Sequence, residues 1–154
     1  MSEGLYPEIV VGALLVDVEG RVFVARFSKV PGHYAVPGGH IEYGETAAKA
    51  LARELREETG LTPTRSRLFL VHERIRPPYY QDGRRHLVYL DFLVEAWEGT
   101  LRLDGVELSD GLWLPPEEAL ALPLTVTTRR LVAHYACVGR DGAACYLPDD
   151  SLGR

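Results

Sequence analysis

The sequence predicts an α/β fold, an α/β/α sandwich with a central mixed sheet between helices, built as one domain. Three observations lead there. At 154 residues the chain has the size of one ordinary domain, long enough to bury a core without disulfides or structural metals. Runs of β-branched and aromatic residues lie on both sides of one strongly helical segment, and a second helical segment follows near the C-terminus to cover the other face. Hydrophobic residues at 46% and charged residues at 25% exclude disordered, collagen-like and coiled-coil chains.

The first element is the nearly continuous apolar run from Ile9 to Val16, a buried strand. After Glu19-Gly20 the run Arg21 to Phe27 resumes as its hairpin partner. A loop with Pro31, Gly32, Pro37, Gly38 and Gly39 follows, with a brief strand at Tyr34 to Val36 inside it. Thr46 to Thr59 is a helix, because Ala, Leu, Glu, Lys and Arg dominate it, Thr46 can cap its N-terminus and Gly60 stands at the αL position after its end. Further strands are expected at Arg67 to Arg74, His86 to Trp97 and Gly111 to Leu114, and helices at Pro116 to Ala121 and Thr127 to Val138. Residues 1–140 form the expected domain. Residues 141–154, rich in Gly, Asp and Pro, read as a loosely held C-terminal tail.

The formal charge of −5 argues against nucleic acid and anionic membrane as partners, which select basic surfaces, and leaves small or metal-bridged anions open. Cys137 and Cys145 have neither C-x-x-C spacing nor a zinc-like partner, so a reducing compartment, the cytoplasm, is expected. The apolar stretch Val10 to Val16 lies between Glu8 and Asp17 and is too short for a signal core or a membrane span.

Chemistry concentrates in Gly39-His40-Ile41-Glu42-Tyr43-Gly44-Glu45 and, seven residues on, Arg53-Glu54-Leu55-Arg56-Glu57-Glu58-Thr59-Gly60-Leu61. At ~100° per residue Glu57 and Glu58 fall roughly 60° and 40° to either side of Glu54, so three carboxylates share one helix face. Ala47 and Ala50 lie on that face and leave room above it, Leu51, Leu55, Ala48 and Ala52 gather where the sheet would be, and Lys49, Arg53 and Arg56 form the third side. An ordinary solvated face fits poorly. Glu54 repels Glu57 at i,i+3 and Glu58 at i,i+4, and all three sit near the helix end where the dipole favours cations. A bound cation removes both objections, and an oxygen-only donor set selects a hard ion, Mg²⁺ with Mn²⁺ as its substitute.

These residues match every fixed position of the Nudix box, G-x5-E-x7-R-E-U-x-E-E-x-G-U with U a bulky aliphatic residue, a match expected by chance on the order of 10⁻⁸ of the time. The chain therefore resembles the Nudix hydrolases. The resemblance implies a pyrophosphohydrolase with metal on the Gly39 carbonyl and on Glu54, Glu57 and Glu58, with Glu54 or Glu58 as the catalytic base, and a structural salt bridge between Glu45 and Arg53. It also implies a fourth carboxylate shortly before a Trp. Glu107 fits this, six residues ahead of Trp113, with Asp104 and Asp110 as neighbouring claimants and Glu95 and Glu98 as weaker ones.

The substrate is less legible. In the loop Ile75 to His86, Tyr79 could stack on a base and Arg84 hold phosphate, or the loop is a solvated hairpin tip or a dimer contact. Arg26 is expected at a phosphate, and Tyr34 either lines the pocket or packs in the core. The expected partner is a small-molecule nucleotide, with a homodimer compatible at the family level. A nucleoside triphosphate, oxidised ones included, is the leading substrate, and ADP-ribose or a nucleotide sugar is the alternative. A non-catalytic nucleotide-sensing module is the reading outside enzymology, against which the intact box speaks. An isopentenyl diphosphate isomerase would need a Cys before the helix, where this chain has none.

Overall fold

The computed structural model describes residues 5–78 and 83–149. Its elements in order are β1 (Glu8–Leu15), β2 (Val22–Phe27), β3 (Tyr34–Ala35), β4 (Gly38–His40), α1 (Ala47–Thr59), β5 (Thr62–Ile75), β6 (His86–Glu98), β7 (Leu108–Leu114), α2 (Pro116–Ala119), α3 (Val126–Val138) and β8 (Cys145–Leu147). A five-stranded mixed sheet runs β4-β1-β6-β5-β8, and a separate three-stranded sheet runs β3-β2-β7.

β1 has no polar face because both its faces are covered. Val11, Ala13 and Leu15 pack with Ala50, Leu51 and Leu55 of α1 on one side. Leu14 and Val16 pack with Leu131, Val132 and Tyr135 of α3 on the other. This is the expected sandwich around a mixed sheet, in which β1 and β6 run parallel and β5 and β6 antiparallel. Among the described residues no helix is long and apolar enough to cross a membrane.

Several expectations are corrected. β2 is not the hairpin partner of β1: both edges of β1 are occupied by β4 and β6, so β2 pairs with β3 and β7 instead, with a single Val16–Val22 bridge at β1's end. β5 begins at Thr62 rather than Arg67 and contains Pro63, which is tolerated because β8 covers only Leu70 to His72 on that side and leaves an open edge there. The segment after Asp141, expected to be loosely held, is tied down at 145–149: β8 adds to the sheet, and Asp149 accepts hydrogen bonds from the Ile75 amide at 2.6 Å and from Arg130.

The caps of α1 form as the residue types demand. Thr46 Oγ1 accepts from the Lys49 amide at 3.1 Å, and Gly60, at φ 75°, donates to the Arg56 carbonyl. The helix is rolled relative to the expected wheel. Ala50 and Glu58 are buried and Ala48 is exposed, so the acidic stripe turns inward toward β4 instead of standing clear of the sheet.

Candidate active site

Two glycines bring α1 onto β4. A Cβ at Gly38 would collide with the Val11 carbonyl, and one at Gly39 would occupy the place of the Glu54 carboxylate. Gly38 donates its amide to Glu58 Oε2 at 2.8 Å. Arg53 then ties helix to loop. Its guanidinium donates to both oxygens of Glu45 at 2.8 and 3.0 Å, to the His40 carbonyl at 3.0 Å and to Glu54 Oε1 at 2.8 Å. The bidentate bond from Arg53 holds the Glu45 carboxyl down at about 2, and Glu45 in return raises Arg53.

The other carboxyls move the opposite way. Glu58 is only 3% exposed, and burial, followed by a hydrogen bond with the Glu107 side chain, pushes it up to about 9. Burial likewise raises Glu54, against the pull of Arg53. Glu57 is exposed, with one oxygen 3.5 Å from Arg53. Glu107 also lies 3.9 Å from Lys29 Nζ. The rival acids have other work: Asp104 Oδ1 accepts from the amides of Val106, Glu107 and Leu108 and so shapes the loop that presents Glu107, while Asp110 pairs with Arg26.

Glu54, Glu58 and Glu107 thus converge as oxygen donors, with two of the three carboxyls raised by their surroundings. Among the described residues they are not gathered at ligating distance as they stand, since Glu54 and Glu57 turn to Arg53. The chemistry of the set nevertheless suits a hard divalent cation, which would relieve the mutual repulsion that burial amplifies.

Glu58 binds a proton in the folded state up to about pH 9 but releases it near its ordinary 4.5 when unfolded. The folded state therefore binds more protons between these limits, so the stability of the metal-free protein is fullest below about pH 4.5 with respect to this group and falls as pH rises toward 9. Melting of EDTA-treated protein from pH 6 to 9 should show a decline that Glu58→Gln flattens. An identical slope in the variant would place the titration elsewhere.

A cavity of ≈ 260 Å³ opens from these carboxylates. Gly39, Glu54, Glu58 and Glu107 line it, joined by Lys29, Tyr89, Asp91, Thr125 and Thr127. Arg26 and Tyr34 are not in its wall: the Arg26 guanidinium lies over the Tyr34 ring at 5.3 Å and reaches Asp110, and Tyr34 packs against the core under α3. Arg84 is exposed on the β5–β6 loop and does not line the cavity. Tyr79 falls outside the described residues. Lys29 and Asp91 are among the residues of this wall that the sequence did not single out. Lys29 carries no signal, being one polar residue in a turn. Asp91 does carry one, as the single charged residue between Leu87 and Val94 of a buried strand.

The family profile described as the NUDIX domain matches residues 7–135. Among curated proteins, the nucleoside triphosphatase NudI of Escherichia coli strain K12 is 35% identical over 104 residues, spanning 65% of this chain and 74% of that one. Among solved structures, the MutT NUDIX hydrolase from Burkholderia pseudomallei is similar with a TM-score of 0.73 at 26% identity, covering 84% of this chain and 98% of that one. The E. coli ORF135 protein is similar with a TM-score of 0.76 at 26% identity, covering 91% and 96%.

Proposed function

This chain belongs to the Nudix family and is a hydrolase of pyrophosphate bonds, and we propose that its substrate is a nucleoside triphosphate, cleaved to the monophosphate and diphosphate. The observation that carries this reading is the convergence of Glu54, Glu58 and Glu107 on one cavity of ≈ 260 Å³, in a chain 35% identical over 104 residues to a nucleoside triphosphatase.

Glu54, Glu57, Glu58 and Glu107, with the Gly39 carbonyl, would hold Mg²⁺, or Mn²⁺ in its place. When bound, the cation neutralises phosphate oxygens and acidifies water. The chain's own groups do the rest. Arg53 fixes Glu54 by Oε1, and Oε2 takes no hydrogen bond among the described residues. Glu54 is thereby oriented to accept a proton from the attacking water, with Glu58, buried beside it, as the other candidate base. Lys29, next to Glu107, is placed to meet a phosphate.

Because Asp104 shapes the loop while Glu107 faces Glu58, Glu107→Gln should lower turnover by about tenfold or more, whereas Asp104→Asn, which can still accept from the loop amides, should retain most activity. Steady-state kinetics of both variants decide this, and the reverse order would mean that Asp104 supplies the fourth carboxylate.

The function itself is tested by incubating the protein with nucleoside triphosphates, ADP-ribose, nucleotide sugars and dinucleotides, with Mg²⁺ or with EDTA, and identifying products. Triphosphates should be cleaved fastest, and only with metal. Faster cleavage of ADP-ribose would replace the substrate assignment, and binding without turnover of any compound would make the chain a sensing module.

A further inference from the structure

Asp91 is an acid in the middle of an apolar strand, and it is not used by the chemistry described above. It is 3% exposed and lies opposite Gly12 in the parallel pairing of β6 with β1. One of its oxygens is held from behind: His72 Nε2, on β5, is 2.5 Å from Oδ2. His72 is fully buried, its ring 5.1 Å from that of Tyr89, and its Nδ1 has no partner among the described residues. A proton on Nδ1 would be a buried, unpaired donor, so the tautomer that fits carries its proton on Nε2 and donates it to an anionic Asp91.

The second oxygen is different. Oδ1 takes no hydrogen bond among the described residues, and it occupies the position where any residue but glycine at 12 would place its Cβ. Gly12 and Asp91 both line the cavity, His72 does not, and the same cavity contains Glu54 and Glu58. An oxygen that opens on the cavity and takes no donor from the protein is met by a donor from whatever fills the cavity. Asp91 and Gly38, which holds Glu58, lie opposite the same Gly12 on either side of β1, so their backbones stand about 10 Å apart. A ribose and an α-phosphate fill such a span, which puts a nucleobase at Asp91.

We propose that Asp91, oriented by His72, is the base-reading residue of this enzyme and selects a nucleobase that presents an exocyclic amino group. A lone carboxylate oxygen attracts N–H and repels a carbonyl. Cytosine presents an amino group where uracil presents an oxygen, and the two nucleotides are otherwise alike. The proposal rests on the reading of the substrate as a nucleotide.

The test compares CTP with UTP by kcat/KM and, without turnover, CMP with UMP by calorimetry. The wild type should favour the cytosine compound by at least about tenfold in both. In Asp91→Asn the His72 proton still needs an acceptor, so the amide oxygen turns to His72 and the amide NH₂ faces the cavity. The preference should then invert toward uracil. Each ratio is taken within one protein and does not depend on how much of it is folded. A wild-type ratio near one, or the same ratio in Asp91→Asn, overturns the proposal. If no triphosphate is cleaved but CMP binds better than UMP and the order inverts in the variant, the base site stands and the triphosphate reading falls. If no nucleotide is bound or cleaved, both fall.

Discussion

Glu58→Gln and Glu54→Gln should each lower kcat by about 10²–10⁴-fold while the protein stays folded. Glutamine at 58 keeps the volume, still accepts from the Gly38 amide and can donate to Glu107, so the local hydrogen bonds survive. Glutamine at 54 keeps an oxygen for Arg53. What both lose is negative charge, and with it the ability to hold a cation or take a proton. Metal-free wild type must hold on Glu58 a proton that the unfolded chain has released, a cost glutamine does not carry, so without metal the Glu58→Gln protein should melt above wild type, most clearly at pH 8. Added Mg²⁺ should then stabilise the wild type more than the variant, because only a ligand that prefers the folded state raises stability. Kinetics and paired melting curves check this. Unchanged turnover in both variants would remove the chemistry from these glutamates, and a metal-free variant melting several degrees below wild type would mean that Glu58 supports the fold.

The second large effect is expected at Gly39. A methyl group there has no room except the space of the Glu54 carboxylate, a side chain that can swing aside. Gly39→Ala should therefore fold, at a cost of roughly 1–3 kcal/mol from overpacking, and lose about 10²-fold or more in turnover because Glu54 is displaced. Gly38 offers the contrast, since the added atom would strike the backbone of β1, which cannot give way, and Gly38→Ala should fail to accumulate as folded protein. Expression, melting and kcat of the two variants separate these outcomes. A Gly39→Ala protein within a few-fold of wild-type turnover would show that the position of Glu54 is not critical.

The legible part of the site was the part written as spacing along one helix. Glu54, Glu57 and Glu58 recur at helical intervals, and the caps Thr46 and Gly60 locate that helix, so both its acidic face and its bounds could be read from the chain. What could not be read was the roll of the helix on the sheet, which depends on the absent side chains of Gly38 and Gly39; Ala48 was therefore expected inside and is found outside. The pairing of β2 with β7 rather than β1 was hidden because the choice is made by competition for the edges of β1, a long-range effect. β4 and β8 are not legible in the sequence because three residues held by backbone hydrogen bonds leave no side-chain pattern. Arg26 and Tyr34 carry suitable chemistry but do not line the cavity, and Lys29 and Asp91 reach it from a turn and a buried strand.

The central claim, attack of water on phosphorus of a nucleoside triphosphate at the carboxylate end of the cavity, is met most directly by ³¹P NMR of the products formed with Mg²⁺ in ¹⁸O-labelled water. The account predicts a nucleoside monophosphate and diphosphate as the products, with the label in one of these phosphates. Orthophosphate with a nucleoside diphosphate, or label in a nucleoside or sugar hydroxyl, would contradict it.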